Sequence, residues 1–175
     1  MFGDREGTPM DEKTISMIID IAIEREERAY AFYRDLCGKV DDIAAQETLQ
    51  FLSAEERKHK DFLEKYRQGK IGPEGLRMTD VVDYRIAEYL SGPDIQKNMD
   101  SKDVYLVAAH RELNSYNFYK SLADLHPEGS VKTILLRMAN EEKKHKEKSN
   151  TSIPTQRFLK PMAGNSGRNR SQTRL

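Results

Sequence analysis

Apolar residues along most of this chain recur every three or four positions, and no run alternates apolar with polar, so the pattern predicts an all-α fold. The first helix is expected over residues 12 to about 36, stopping near Cys37-Gly38, where glycine suits a C-terminal stop. A second follows Asp41-Asp42, whose side chains suit an N-cap, and continues to about residue 67 before Gln68-Gly69. Its inward stripe is Leu49, Leu52, Glu56, His59, Leu63 and Tyr66, a seam with two polar residues in its middle. Residues 69–100 contain Gly69, Gly72, Pro73, Gly75, Gly92 and Pro93, with one short helix expected near 79–90, and read as a long crossover. The third helix starts after Asp100-Ser101 and runs to about residue 125, where His126-Pro127 stops it. The fourth spans roughly 129–148 on the stripe Leu135, Met138, Glu142 and His145. Two antiparallel hairpins joined by a long crossover follow from these link lengths.

Composition narrows the class. A chain of 175 residues, 33% charged, with a mean hydropathy of −0.79, is expected to be one soluble domain with terminal extensions. Residues 1–11 read as a flexible N-terminus, 12–149 as the bundle, and 150–175 as a basic, disordered tail. No stretch is apolar and long enough to span a bilayer, and the polar N-terminus lacks a secretory core, so a cytoplasmic protein is expected. The single cysteine, Cys37, excludes an intramolecular disulfide or a cysteine-held cluster. Formal net charge is zero but unevenly placed. From Ser149 onward there is no acid, while Arg157, Lys160, Arg168, Arg170 and Arg174 make the tail cationic and leave the body acidic. An acidic body suits cation uptake and argues against nucleic acid as a partner.

The chemistry lies in a repeat. Glu26, Glu56 and His59 in the first half are matched by Glu112, Glu142 and His145, each 86 residues later. Tyr30, Phe32, Tyr33, Leu36, Leu49 and Lys58 match Tyr116, Phe118, Tyr119, Leu122, Leu135 and Lys144 at the same offset. Each half thus supplies one Glu followed 30 residues later by Glu-x-x-His, and residues three apart share a helix face. One such motif in a Glu-rich helix is more often a solvated face. Two of them, each on an apolar stripe, place four carboxylates in the core. Burying these unpaired would cost several kcal/mol each, against a net stability of about 5–15 kcal/mol. Two divalent cations balance four carboxylates, so a dinuclear site is expected, and carboxylates with imidazoles are the ligand types of iron or manganese, alone or mixed.

The segments Glu26-x-x-Ala29-x-x-Phe32-Tyr33, Glu55-Glu56-x-x-His59, Glu112-x5-Phe118-Tyr119 and Glu141-Glu142-x-x-His145 resemble the rubrerythrin branch of the ferritin-like superfamily over about residues 14–149. The resemblance implies a ferritin-like antiparallel four-helix bundle, crossing over between helices 2 and 3. It also implies a di-iron centre on the six repeated residues, with Glu56 and Glu142 bridging or terminal, and a homodimer. Two departures matter. Peroxidase members of the family commonly carry a further Glu one turn after the third-helix ligand, where Ser115 stands here. Many also carry a rubredoxin-like domain, which one cysteine cannot form, so a separate electron donor such as a rubredoxin-like protein is expected.

Three functions are therefore in view. The first is reduction of peroxide or dioxygen at the iron pair. The second is a ferroxidase or iron-storage role on the same ligands, and the third a metal-independent helical interaction module. Tyr33 and Tyr119, seven residues after Glu26 and Glu112, are candidates to hydrogen-bond ligand carboxylates, with plain packing as the alternative. Tyr30 and Tyr116 are expected in the core. His110, His126 and the flanking Glu55, Glu141, Lys58, Lys60, Lys144 and Lys146 are expected at the surface, and Cys37 as a small buried hydrophobe.

Overall fold

The computed structural model describes residues 12–76, 93–96 and 99–153. The short helix expected near 79–90, the N-terminal extension and most of the tail lie outside them. Among the described residues there are four long helices and no strand: α1 (Glu12–Cys37), α2 (Ile43–Arg67), α3 (Ser101–Asp124) and α4 (Ser130–Ser152), with a 3-10 turn at Pro73–Gly75. None is long and apolar enough to cross a membrane. This is the antiparallel four-helix bundle of the ferritin-like type, with α1–α2 and α3–α4 as its hairpins.

Local chemistry sets the ends. Asp42 caps α2 by accepting from the Ala45 amide at 2.7 Å, and Asp100 caps α3 by accepting from the Asp103 amide at 2.8 Å. Gly69, with φ of +68°, takes the left-handed turn that ends α2, a conformation that favours glycine.

α4 runs four residues past the expected stop at 148, to Ser152. Its last turn is Ser149-Asn150-Thr151-Ser152, poor helix formers, but Ile153 just beyond is 3% exposed and packs with Leu36, Leu49 and Val104. Packing there overrides propensity. The same face corrects the expectation for Lys146, which is buried rather than a solvated flank. Glu142, His145, Lys146, Ser149 and Asn150 follow the three-four spacing of one inward stripe, so Lys146 is carried inside with its ammonium 3.5 Å from the buried Glu147 carboxylate.

The core falls into two apolar clusters. One joins the C-terminal half of α1 to the N-terminal halves of α2 and α3, around Leu36, Leu49, Leu52 and Val104. The other joins the N-terminal half of α1 to the C-terminal halves of α2 and α3, around Ile19, Leu63, Ile134 and Met138. Between them, at mid-bundle, every helix contributes buried polar side chains.

Replacing the cap in Asp42→Ala is expected to destabilise the fold by about 1 kcal/mol, read as a lowered urea midpoint with an unchanged slope. An unshifted midpoint would show that the cap contributes nothing.

Candidate metal centre

The polar layer is made by the six repeated residues. Glu26 comes from α1, Glu56 and His59 from α2, Glu112 from α3, and Glu142 and His145 from α4; each is 1–3% exposed. Nδ1 of His59 lies 3.3 Å from Glu26, 3.6 Å from Glu56 and 3.8 Å from Glu142. Nδ1 of His145 lies 3.6 Å from both Glu56 and Glu112. The two imidazoles stack, with centroids 5.1 Å apart and planes within 10°.

Two overlapping groups of four donors result, and a third group joins Glu56 to both histidines. Glu26, Glu56, His59 and Glu142 bring four donor atoms within 4.8 Å of one another, and so do Glu56, Glu112, Glu142 and His145. Glu56 and Glu142 belong to both. Both oxygens of Glu56, both of Glu142, Oε2 of Glu112 and Nδ1 of His145 are buried without a hydrogen-bond partner. Buried acceptors are rarely left so, because each costs its full desolvation. Carboxylate oxygens and imidazole nitrogens converging in this number are the donor set of iron or manganese, so the residues fit a two-metal centre.

The tyrosines cross over. Tyr33 of α1 donates its hydroxyl to Oε1 of Glu112 on α3, and Tyr119 of α3 donates to Oε1 of Glu26 on α1. Each phenol thus serves the carboxylate of the opposite helix, not the one a heptad before it. The spacing placed both tyrosines on the right face, but the partner is set by how α1 meets α3.

Without cations the layer holds protons. Burial, reinforced by the charge of Glu56, pushes Glu26 up to about 8. Burial with the charges of Glu56 and Glu112 pushes Glu142 well above the carboxylate range. Burial disfavours a charged His59, but Glu26 and Glu56 outweigh it and lift the imidazole to about 10. Glu112 and Glu56 likewise lift His145, against burial, to about 9. Glu56 is the exception: burial opposes its charge, yet the two imidazoles beside it hold it below the ordinary range.

The remaining candidates sit elsewhere. Tyr116 packs against the apolar core, while Tyr30 is half-buried and accepts from Arg34 at 3.1 Å. Lys58 pairs with Glu55 and Lys144 with Glu141 along their own helices. Cys37 is half-buried. His110 and His126 are half-buried rather than exposed. The sequence reasoning missed Arg25 and Arg111, which stack on Phe118 at 4.4 Å and Phe32 at 4.2 Å. Arg25 and Arg111 are themselves 86 residues apart and precede the two lone glutamates, a signal that was available.

The Rubrerythrin family model matches residues 8–67, which takes in α1 and α2 with Glu26, Glu56 and His59. That match is consistent with a rubrerythrin-like member of the ferritin-like proteins. Glu112, Glu142 and His145 lie beyond the matched segment, and the internal repeat is what ties them to it. A hypothetical protein from Pyrococcus furiosus is similar in fold, with a TM-score of 0.53 and 22% identity over 79% of this chain and 87% of its own. No curated protein matches.

The proton inventory fixes a pH dependence. Glu26 and His59 both titrate higher folded than at their ordinary values of 4.5 and 6.5, so each stabilises the metal-free fold most at low pH and loses that contribution as pH rises towards 8 and 10. Glu56 acts with the opposite sign, and only on acidification below 4.5. The melting temperature of metal-free protein should therefore fall from about pH 6 to about pH 9, while the increment from added ferrous iron grows, because cations must displace those protons. An increment independent of pH would contradict the account. Glu142→Gln should flatten the fall of the metal-free melting temperature at high pH, because a carboxyl that burial and its neighbours keep protonated no longer has to ionise, and should abolish the iron increment.

Proposed function

We propose that this chain is a rubrerythrin-type di-iron oxidoreductase that reduces peroxide or dioxygen. The observation that carries the reading is the membership of Glu56 and Glu142 in both donor groups, each of which has one histidine of its own. In this reading Glu56 and Glu142 would be shared between two ions, Glu26 and His59 would hold one, and Glu112 and His145 the other. Iron bound there would supply the electrons and the Lewis acidity for cleaving an O–O bond.

The chain does the positioning. Tyr33 and Tyr119 tie down one oxygen each of Glu112 and Glu26, leaving the second oxygen of each carboxylate turned toward the histidines. Burial, with the neighbouring carboxylates, keeps both phenols protonated far above their ordinary value, so they remain donors at any working pH. The apolar clusters on either side exclude bulk water from the layer. Electrons arrive from a separate donor such as a rubredoxin-like protein, and the working form is a homodimer in the cytoplasm.

One observation favours a second reading, a ferroxidase or iron-storage protein on the same ligands. Ser115, one turn after Glu112, is 6% exposed and accepts a hydrogen bond from Arg25 at 3.2 Å, so no carboxylate stands there to swing onto an iron.

The two are separated by loading the protein anaerobically with ferrous iron and mixing it with stoichiometric peroxide or with dioxygen, following the ferric absorbance. The oxidoreductase reading expects peroxide to oxidise the iron at least about tenfold faster, with uptake stopping at about two irons per chain. Rapid oxidation by dioxygen alone, with uptake continuing far beyond that, would replace it with the storage reading.

A further inference from the structure

The pseudo-twofold relation between the halves brings α1 and α3 together on one outer face. There they border a cleft of about 690 Å³ that Pro93 and Ile95 of the crossover also line. Equivalent positions of the repeat line it: Ile21 and Val107, Arg25 and Arg111, and Arg28 and Asn114.

Arg25 and Arg111 are half-buried, and no carboxylate among the described residues pairs with either. Among the described residues Arg25 bonds only to the Ser115 hydroxyl, and Nε of both arginines is buried without a partner. The acid on the rim, Glu24, is already paired with exposed Arg28 one turn along the helix. Stacking on Phe118 and Phe32 fixes the two guanidiniums by their faces and, apart from the Arg25 bond to Ser115, leaves their N–H edges available. Rigid, unpaired guanidiniums beside apolar surface are a phosphate-recognition arrangement, and two cations match a dianion. Ile21 and Ile95, 50% and 46% exposed, also line the cleft and offer apolar area that a ligand body would cover. The volume suits a small molecule.

We propose that this cleft binds a phosphate monoester with an apolar or aromatic body, its phosphate held by Arg25 and Arg111 and its body lying against Ile21, Ile95 and Phe118. The site is separate from the metal layer and does not depend on iron.

The test is calorimetric titration of the full chain with phenyl phosphate, inorganic phosphate and benzoate, with amide NMR shifts recorded in parallel. Phenyl phosphate should bind saturably and weaken with added salt. Inorganic phosphate and benzoate should each bind at least about tenfold more weakly, the first lacking the apolar contact and the second the full charge. Arg111→Gln should weaken phenyl phosphate by about tenfold or more. Shifts in the wild-type protein should centre on Val107, Asn114 and Ile95, a readout that survives if the variant fails to fold. The proposal is overturned by the absence of saturable binding, by benzoate binding as tightly, or by shifts centred elsewhere. It is equally overturned if Arg111→Gln alters stability or iron binding yet leaves phenyl phosphate binding intact, since the arginines would then serve only to offset the buried carboxylates.

Discussion

Four carboxylates share one layer of this bundle, out of contact with water and without enough hydrogen-bond donors to satisfy them. That shortage is the constraint on which the rest of the structure depends. The His59 imidazole and two phenols relieve part of it, at Glu26 and at one oxygen of Glu112. Glu56 and Glu142 gain no hydrogen bond at all. The layer can lower its energy by taking up protons, as the raised affinities of Glu26, Glu142 and both histidines show, or by taking up cations. Competition between those two routes links the protein's stability to its proposed chemistry.

The twofold likeness of the halves is not decoration on this constraint. The contacts that matter run from one hairpin to the other: Tyr33 to Glu112, Tyr119 to Glu26, Arg25 onto Phe118 and Arg111 onto Phe32. His59 reaches the lone glutamate of its own hairpin, but the phenol that holds each lone glutamate comes from the other hairpin, so the site is completed only when the hairpins dock. The symmetry breaks at Ser115, whose counterpart in the first half is Ala29, and only Arg25 finds a hydroxyl there. It breaks again where Glu24 and Arg28 of α1 stand against His110 and Asn114 of α3, which gives the outer cleft its uneven charge.

Much of this was legible in the sequence because helix periodicity and a fixed offset are both one-dimensional signals. The seam Leu49, Leu52, Glu56, His59, Leu63 places the metal candidates by spacing alone, and α2 buries all five. What spacing cannot express is contact between helices distant in sequence. It put Tyr33 beside Glu26 on α1, whereas the fold hands its hydroxyl to α3. The end of α4 is hidden from spacing for a related reason. Ser149 and Asn150 look like a helix terminus, and Lys146 like surface, until Ile153 is seen anchored in the core and the stripe from Glu142 onward is found to be buried throughout.

The most direct measurement is anomalous diffraction at the iron absorption edge from crystals of iron-loaded protein. The account expects two peaks inside the bundle, one beside Glu26 and His59 and one beside Glu112 and His145, with the carboxylates of Glu56 and Glu142 lying between them. A layer without anomalous density, its carboxylates bonded to one another through shared protons, would contradict it.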